Sequence, residues 1–169
     1  MNCFVKQKHY ERLRRFFLWA NGMEIERKIL IKDRKKSADD YLCEYFVGSG
    51  PRTVSSAVHV TADNKYQAKV MATIIARCPD LVFGGAFHTH PCGLLAPSGQ
   101  DRRTALDVLL ERRGWSGWGL SEFLCLIGTQ LNHEFSIKAY VISKDHQEFV
   151  EIPVVVSDSI SQGSRGNEQ

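Results

Sequence analysis

The rhythm of the apolar runs constrains this chain more than any other feature. Three stretches keep the three/four spacing of a helix with one buried face. They are interleaved with about seven short runs that alternate or are rich in β-branched and aromatic residues. The helical stretches are residues 8–20, with Leu13, Phe16 and Phe17 on one side, residues 65–77, with Val70, Ile74 and Ile75, and residues 99–113. The strand candidates are residues 23–31, 41–47, 53–61, 81–88, 123–130, 135–143 and 149–156. Punctuation falls between them. Asn21-Gly22 stops the first helix, Gly48 to Pro51 breaks a strand, Asp63 or Asn64 can cap the second helix, and Pro79 ends it. Such an order predicts one α/β domain over residues 1–156, with a curved mixed β-sheet packed with about three helices. Residues 157–169 lack a core-forming pattern and are expected to be a disordered tail.

Composition narrows the function classes. The 22 Lys and Arg against 19 Asp and Glu leave a net charge of +3, too small to indicate a nucleic-acid partner. No apolar run approaches the ~20 residues that cross a bilayer, and the first 15 residues lack the apolar stretch of a secretory signal. The five cysteines are odd in number and have no C-x-x-C spacing, which argues against a disulfide framework. A cytoplasmic chain with no membrane partner is therefore expected.

The chemistry-bearing stretch is HTHPCGLLAPSGQD, residues 88–101. On an extended strand His88 and His90 share a face while Thr89 points the other way. The following loop is long enough to bring Asp101, at the start of the third helix, back to the same point. Two imidazoles and one carboxylate make three ligands for Zn2+ and leave a fourth position open. The bland readings are histidines satisfied inside a core or turn, an Asp101 that only serves the helix N-terminus, and a Ser98 that is only an N-cap.

In residue type and spacing this stretch resembles the JAB/MPN (JAMM) zinc metalloproteases, whose motif is a distant Glu, then H-x-H-P, about six residues, then S-x-x-D. Here the match is His88-Thr89-His90-Pro91, six residues, and Ser98-Gly99-Gln100-Asp101. A weaker resemblance runs over residues 8–156. The GSGPRT turn and the PSGQDRR helix start look most like the bacterial branch. The resemblance implies a JAB/MPN-like (cytidine-deaminase-like) fold, one catalytic zinc on His88, His90 and Asp101, and Ser98 as hydrogen-bond donor to the oxyanion. It also implies a general base on an early strand. Glu24 fits best, because Ile29 and Leu30 follow at the family's apolar offset. The family commonly has Gly-Gly or Cys-Gly after its glutamate, where this chain has Glu26-Arg27, so Glu26 is the alternative.

By the same resemblance the activity expected is that of a zinc metallo-isopeptidase cutting after the C-terminus of a ubiquitin-like modifier. It is similar to deconjugating enzymes of bacterial ubiquitin-like and CBASS antiphage systems, with E1-like and E2-like partners. Two alternatives stay open. One is a processing peptidase for a sulfur-carrier or ubiquitin-like precursor. The other is a non-catalytic MPN interaction module. Several residues carry two readings. Cys92 is a contact near the metal or an ordinary loop cysteine. Trp115 and Trp118 line a groove or pack the core. Arg12, Arg14, Arg15, Arg102, Arg103, Arg112 and Arg113 form a positive face or a solvated helix surface. His9, His59, His133 and His146 are read as surface or strand residues.

Overall fold

The computed structural model describes residues 1–33, 40–90, 93–113, 115, 117–131 and 134–158. In chain order these form β1 (Cys3–Lys6), α1 (Gln7–Ala20), β2 (Glu26–Lys32), β3 (Tyr41–Gly48), β4 (Val54–Ser55) and β5 (Val60–Thr61). There follow α2 (Asn64–Arg77), β6 (Leu81–Thr89), α3 (Gly99–Leu109), β7 (Glu122–Leu131), β8 (Glu134–Ser143), β9 (Val150–Ile152) and β10 (Val154–Ser157). Eight strands make one mixed sheet in the order β10-β1-β3-β2-β6-β7-β8-β9, and β4 and β5 form a separate two-stranded hairpin. The large sheet curls so far that β10, at one end, comes into contact with β8, beside the other end.

This corrects the expected fold. The chain does not form a JAB/MPN-like sheet packed with helices. Among the described residues it forms a strand-rich, nearly closed, barrel-like sheet of eight strands, accompanied by three helices. Two elements account for much of the difference. β1 is only four residues long and runs straight into α1, so no turn residue announces it. It nevertheless lies between β10 and β3, parallel to both. The segment expected as one strand over residues 149–156 is split at Pro153, which has no N–H for a ladder. One piece pairs with β8 and the other with β1, at opposite ends of the sheet. The single strand expected over residues 53–61 folds back on itself as the β4–β5 hairpin, closed by Ser56 donating its N–H to the His59 carbonyl at 2.8 Å.

Each sheet face has its own core. Cys3, Val5, Ile29, Ile31, Phe87, Leu124 and Ala139 pack with Leu13 and Ala20 of α1. On the other face, Leu30, Phe83, Phe123 and Ile127 pack with Met71 of α2 and with Ala105, Val108 and Leu109 of α3. Trp115 and Trp118 are partly buried on that second core, both against Phe83. Of the arginines expected on a positive face, Arg14, Arg102 and Arg113 are tied in ion pairs, to Glu11, Glu148 and Asp107. None of the described helices is long and apolar enough to cross a membrane.

Candidate metal centre

The site begins with a kink in β6. Opposite β2, Ile29 faces Gly85 and the next residue, Leu30, faces Phe83, so Gly84 is an extra residue in the ladder. Such a bulge reverses the side-chain phase of everything beyond it. Before it, Phe83 lies on the α2/α3 face; after it, Ala86 lies there, and Phe87 goes to the α1 face. His88 and His90 follow Ala86 in phase and open into a cleft of about 160 Å3. Thr89, of opposite phase, is fully buried, and its hydroxyl oxygen accepts the Ile25 N–H at 2.9 Å. His90 is held at three points. Its N–H donates to the Gly128 carbonyl at 2.9 Å, its carbonyl accepts from the Thr129 hydroxyl at 2.6 Å, and its Nδ1 lies 3.1 Å from the Leu94 carbonyl.

Asp101 arrives from the other side on the first turn of α3. Ser98 is the N-cap, and the two residues form a reciprocal capping box. The Asp101 N–H donates to Ser98 Oγ at 3.2 Å, and the Ser98 N–H donates to Asp101 Oδ2 at 2.6 Å. The expected bland role of Ser98 is therefore real. Its hydroxyl also hydrogen-bonds the Asp101 carboxylate, and the residue is exposed on the cleft wall.

These elements bring the three ligand atoms together. Nε2 of His88 and Nε2 of His90 are 3.0 Å apart. Asp101 Oδ1 lies 3.2 Å from the first, and Oδ2 lies 3.6 Å from the second. A tetrahedral ion with donor bonds of about 2.0–2.1 Å sets neighbouring donors about 3.3–3.4 Å apart. The observed separations of 3.0, 3.2 and 3.6 Å bracket that length, the last two being made by different oxygens of Asp101. The donors also suit a divalent cation: two imidazole nitrogens and one carboxylate, with the Leu94 carbonyl fixing the far nitrogen of His90. His88, His90 and Asp101 thus form a group that could hold a metal ion.

Electrostatics point the same way. Burial alone would raise the Asp101 carboxyl, but the hydrogen bonds from His88 and His90 outweigh it and hold the group far below the usual carboxylate range. The hydrogen bond to Asp101 raises the pKa of His90 against the opposing effect of burial. The Asp101 carboxylate is ionised throughout the neutral range, as a metal ligand must be.

Both candidate bases line the cleft, but their surroundings differ. Glu24 precedes β2, fastened by its N–H to the Ser56 carbonyl of the hairpin at 2.7 Å. It is half-buried, and burial raises its pKa, offset by the nearby His88 and His90. Glu26 is across the ladder from His88 but is ion-paired with the buried Lys28. The structure thus brings both glutamates to the expected place and commits only Glu26 to another partner. Sequence reasoning missed Lys28, His59 and Cys125 as lining residues of the cleft. Lys28 was legible in principle, as a charge at period two from Glu24 and Glu26. His9 and His146 stand away from the cleft, and Pro91, Cys92 and His133 lie outside the described residues.

The sequence matches no protein-family model and no curated protein. In fold the chain is similar to the solution structure of protein DSY2949 from Desulfitobacterium hafniense. That likeness has 19% identity and a TM-score of 0.64, and it covers 95% of this chain and 96% of the other. At that identity the likeness shows a shared fold alone.

Proposed function

We propose that this protein is a zinc-dependent metallo-isopeptidase or peptidase that hydrolyses the amide bond after the C-terminus of a ubiquitin-like modifier. One observation supports the reading above the rest. His88, His90 and Asp101 bring one donor atom each to within 4.8 Å of one another, and Glu24, a carboxylate not paired with a lysine, lines the same cleft. The motif resemblance supplies the substrate class. Two imidazoles and one carboxylate suit zinc, which in such a site lowers the pKa of water towards ~7 and polarises a carbonyl.

The chain's own groups divide the remaining work. Glu24 takes a proton from the attacking water and delivers it to the leaving amine; its burial raises its proton affinity in the direction that helps the first transfer. Ser98 accepts the cap N–H on its oxygen and donates its hydroxyl proton to the carbonyl oxygen as charge develops there. Enzymes with E1-like and E2-like activity, as in bacterial antiphage systems, would make the conjugates that this one removes.

The test uses the full chain and a panel of ubiquitin-like fusions in linear and lysine-linked form, with and without chelator. About one zinc per chain and chelator-sensitive cleavage of lysine-linked substrates are expected. Cleavage of linear fusions alone identifies the precursor-processing peptidase. One bound zinc with no cleavage of any substrate identifies a binding module. Cleavage that survives complete removal of metal overturns the reading.

A further inference from the structure

Glu24, just before β2, and Glu26 and Lys28 at its start all line the cleft, spaced two apart. Glu26 faces His88 directly across the antiparallel ladder, and Lys28 faces Ala86. Residues opposed in this way have Cβ atoms roughly 4.5–5.5 Å apart, and a glutamate reaches about as far from its Cβ as an imidazole does. Glu26 can therefore reach the point on which the His88 ring converges. A carboxylate so placed is a ready fourth ligand. Four protein ligands make a closed, structural zinc site, whereas hydrolysis needs an open corner.

Glu26 is engaged instead by Lys28. The ammonium of Lys28 is ion-paired to Glu26 Oε1. It also lies 5.0 Å from the centre of the Trp115 ring, which stacks on Phe83. Lys28 is only 4% exposed. A buried cation stripped of its counter-ion is strongly destabilising, so the pair resists separation. A bound cation and the buried lysine would compete for one carboxylate.

We propose that Lys28 is a positioning residue: it holds Glu26 away from the metal and thereby keeps the fourth coordination position open. The proposal rests on the metal-site reading above and not on the identity of the substrate. Its consequence is unusual, because removing a cation that never touches the metal should tighten metal binding while it closes the site.

The experiment measures Zn2+ affinity of the full chain by competition with a chromophoric chelator, and the visible spectrum of the Co2+ form with and without azide. In wild type, azide changes the Co2+ spectrum because a position is open. For Lys28→Met, Zn2+ is expected to bind roughly tenfold tighter or more, and the Co2+ spectrum should lose its azide response. Lys28→Arg keeps the counter-ion and should behave as wild type. The double variant Lys28→Met/Glu26→Gln should return to within about twofold of wild-type affinity and regain the azide response. Unchanged affinity and azide response in a folded Lys28→Met overturn the proposal.

Glu26→Gln decides the matter if Lys28→Met does not fold. Affinity within about twofold of wild type supports a Glu26 that is not a ligand. A drop of roughly tenfold shows that Glu26 already ligates and overturns the proposal. Wild-type protein that binds neither ion instead defeats the metal centre, and this inference with it.

Discussion

At the scale of single residues, the two glutamates at the head of β2 separate the roles that sequence left joined. The family resemblance favoured Glu24 and kept Glu26 as the alternative. The choice rests on Lys28, which occupies Glu26 and leaves Glu24 as the carboxylate whose proton affinity responds to His88 and His90. Glu24→Gln should therefore keep zinc within about twofold of wild type and lower turnover roughly 10²–10⁴-fold. Metal analysis alongside single-turnover cleavage checks both halves; an active Glu24→Gln with a dead Glu26→Gln would move the base by two residues. The ligands behave differently. His88→Ala or Asp101→Ala removes a donor from a three-donor set, so zinc affinity should fall by about 100-fold or more, and activity with it. Chelator competition reads this directly. The convergence of His88, His90 and Asp101 was legible because these residues fall within one short stretch of fixed spacing. Glu24 was less so, because it reaches the site only through the pairing of β2 with β6, more than sixty residues away along the chain.

At the scale of elements, the bulge in β6 decides which way the site faces. Without the extra residue, His88 and His90 would share the face of Val82, against the α1 core. Gly85 makes the bulge sterically possible. Its φ is +156°, and a Cβ there would lie 1.8 Å from the Leu124 carbonyl oxygen of β7. Gly85→Ala must push two central strands apart, so a loss of about 3 kcal/mol or more is expected by urea unfolding. Gly48→Ala, where a Cβ meets nothing within 4 Å, should change stability by less than about 1 kcal/mol. The α3 cap gives a milder test. Ser98→Ala should cost about 1 kcal/mol through the lost capping bond. It also frees the Asp101 backbone, which should weaken zinc binding roughly tenfold. Ser98→Thr keeps the capping oxygen and should retain affinity. The three helices and most of the strands were legible from periodicity, including the Asp63 and Ser98 caps. The bulge was not, because a Gly-Gly pair inside an apolar run does not say on which side of it the ladder slips.

At the scale of the whole molecule, the sheet depends on pairings between distant parts of the chain. Cys3 pairs with Val154 on one side and Tyr41 on the other. Four residues are too few to show a periodicity, and nothing local indicates which strands they will join. The near-closure of the sheet was therefore illegible even where its separate strands were plain. β1 is nonetheless central. Cys3 and Val5 are fully buried in the core that packs on α1. Deleting residues 1–6 removes both and exposes the unpaired edges of β3 and β10 together. Each buried apolar side chain is worth about 1.5–3 kcal/mol, and two ladders are lost besides, against a typical total stability of about 5–15 kcal/mol. The shortened chain should lose its cooperative thermal transition or associate through the opened edges, seen by circular dichroism and size-exclusion chromatography. Because Phe87 and Leu124 share that core and lie in the strands that carry and flank His88, zinc binding should be lost as well. A shortened chain that stayed monomeric, melted at the wild-type temperature and kept its zinc would show that β2, β6 and β7 hold the site without help from the chain's two ends.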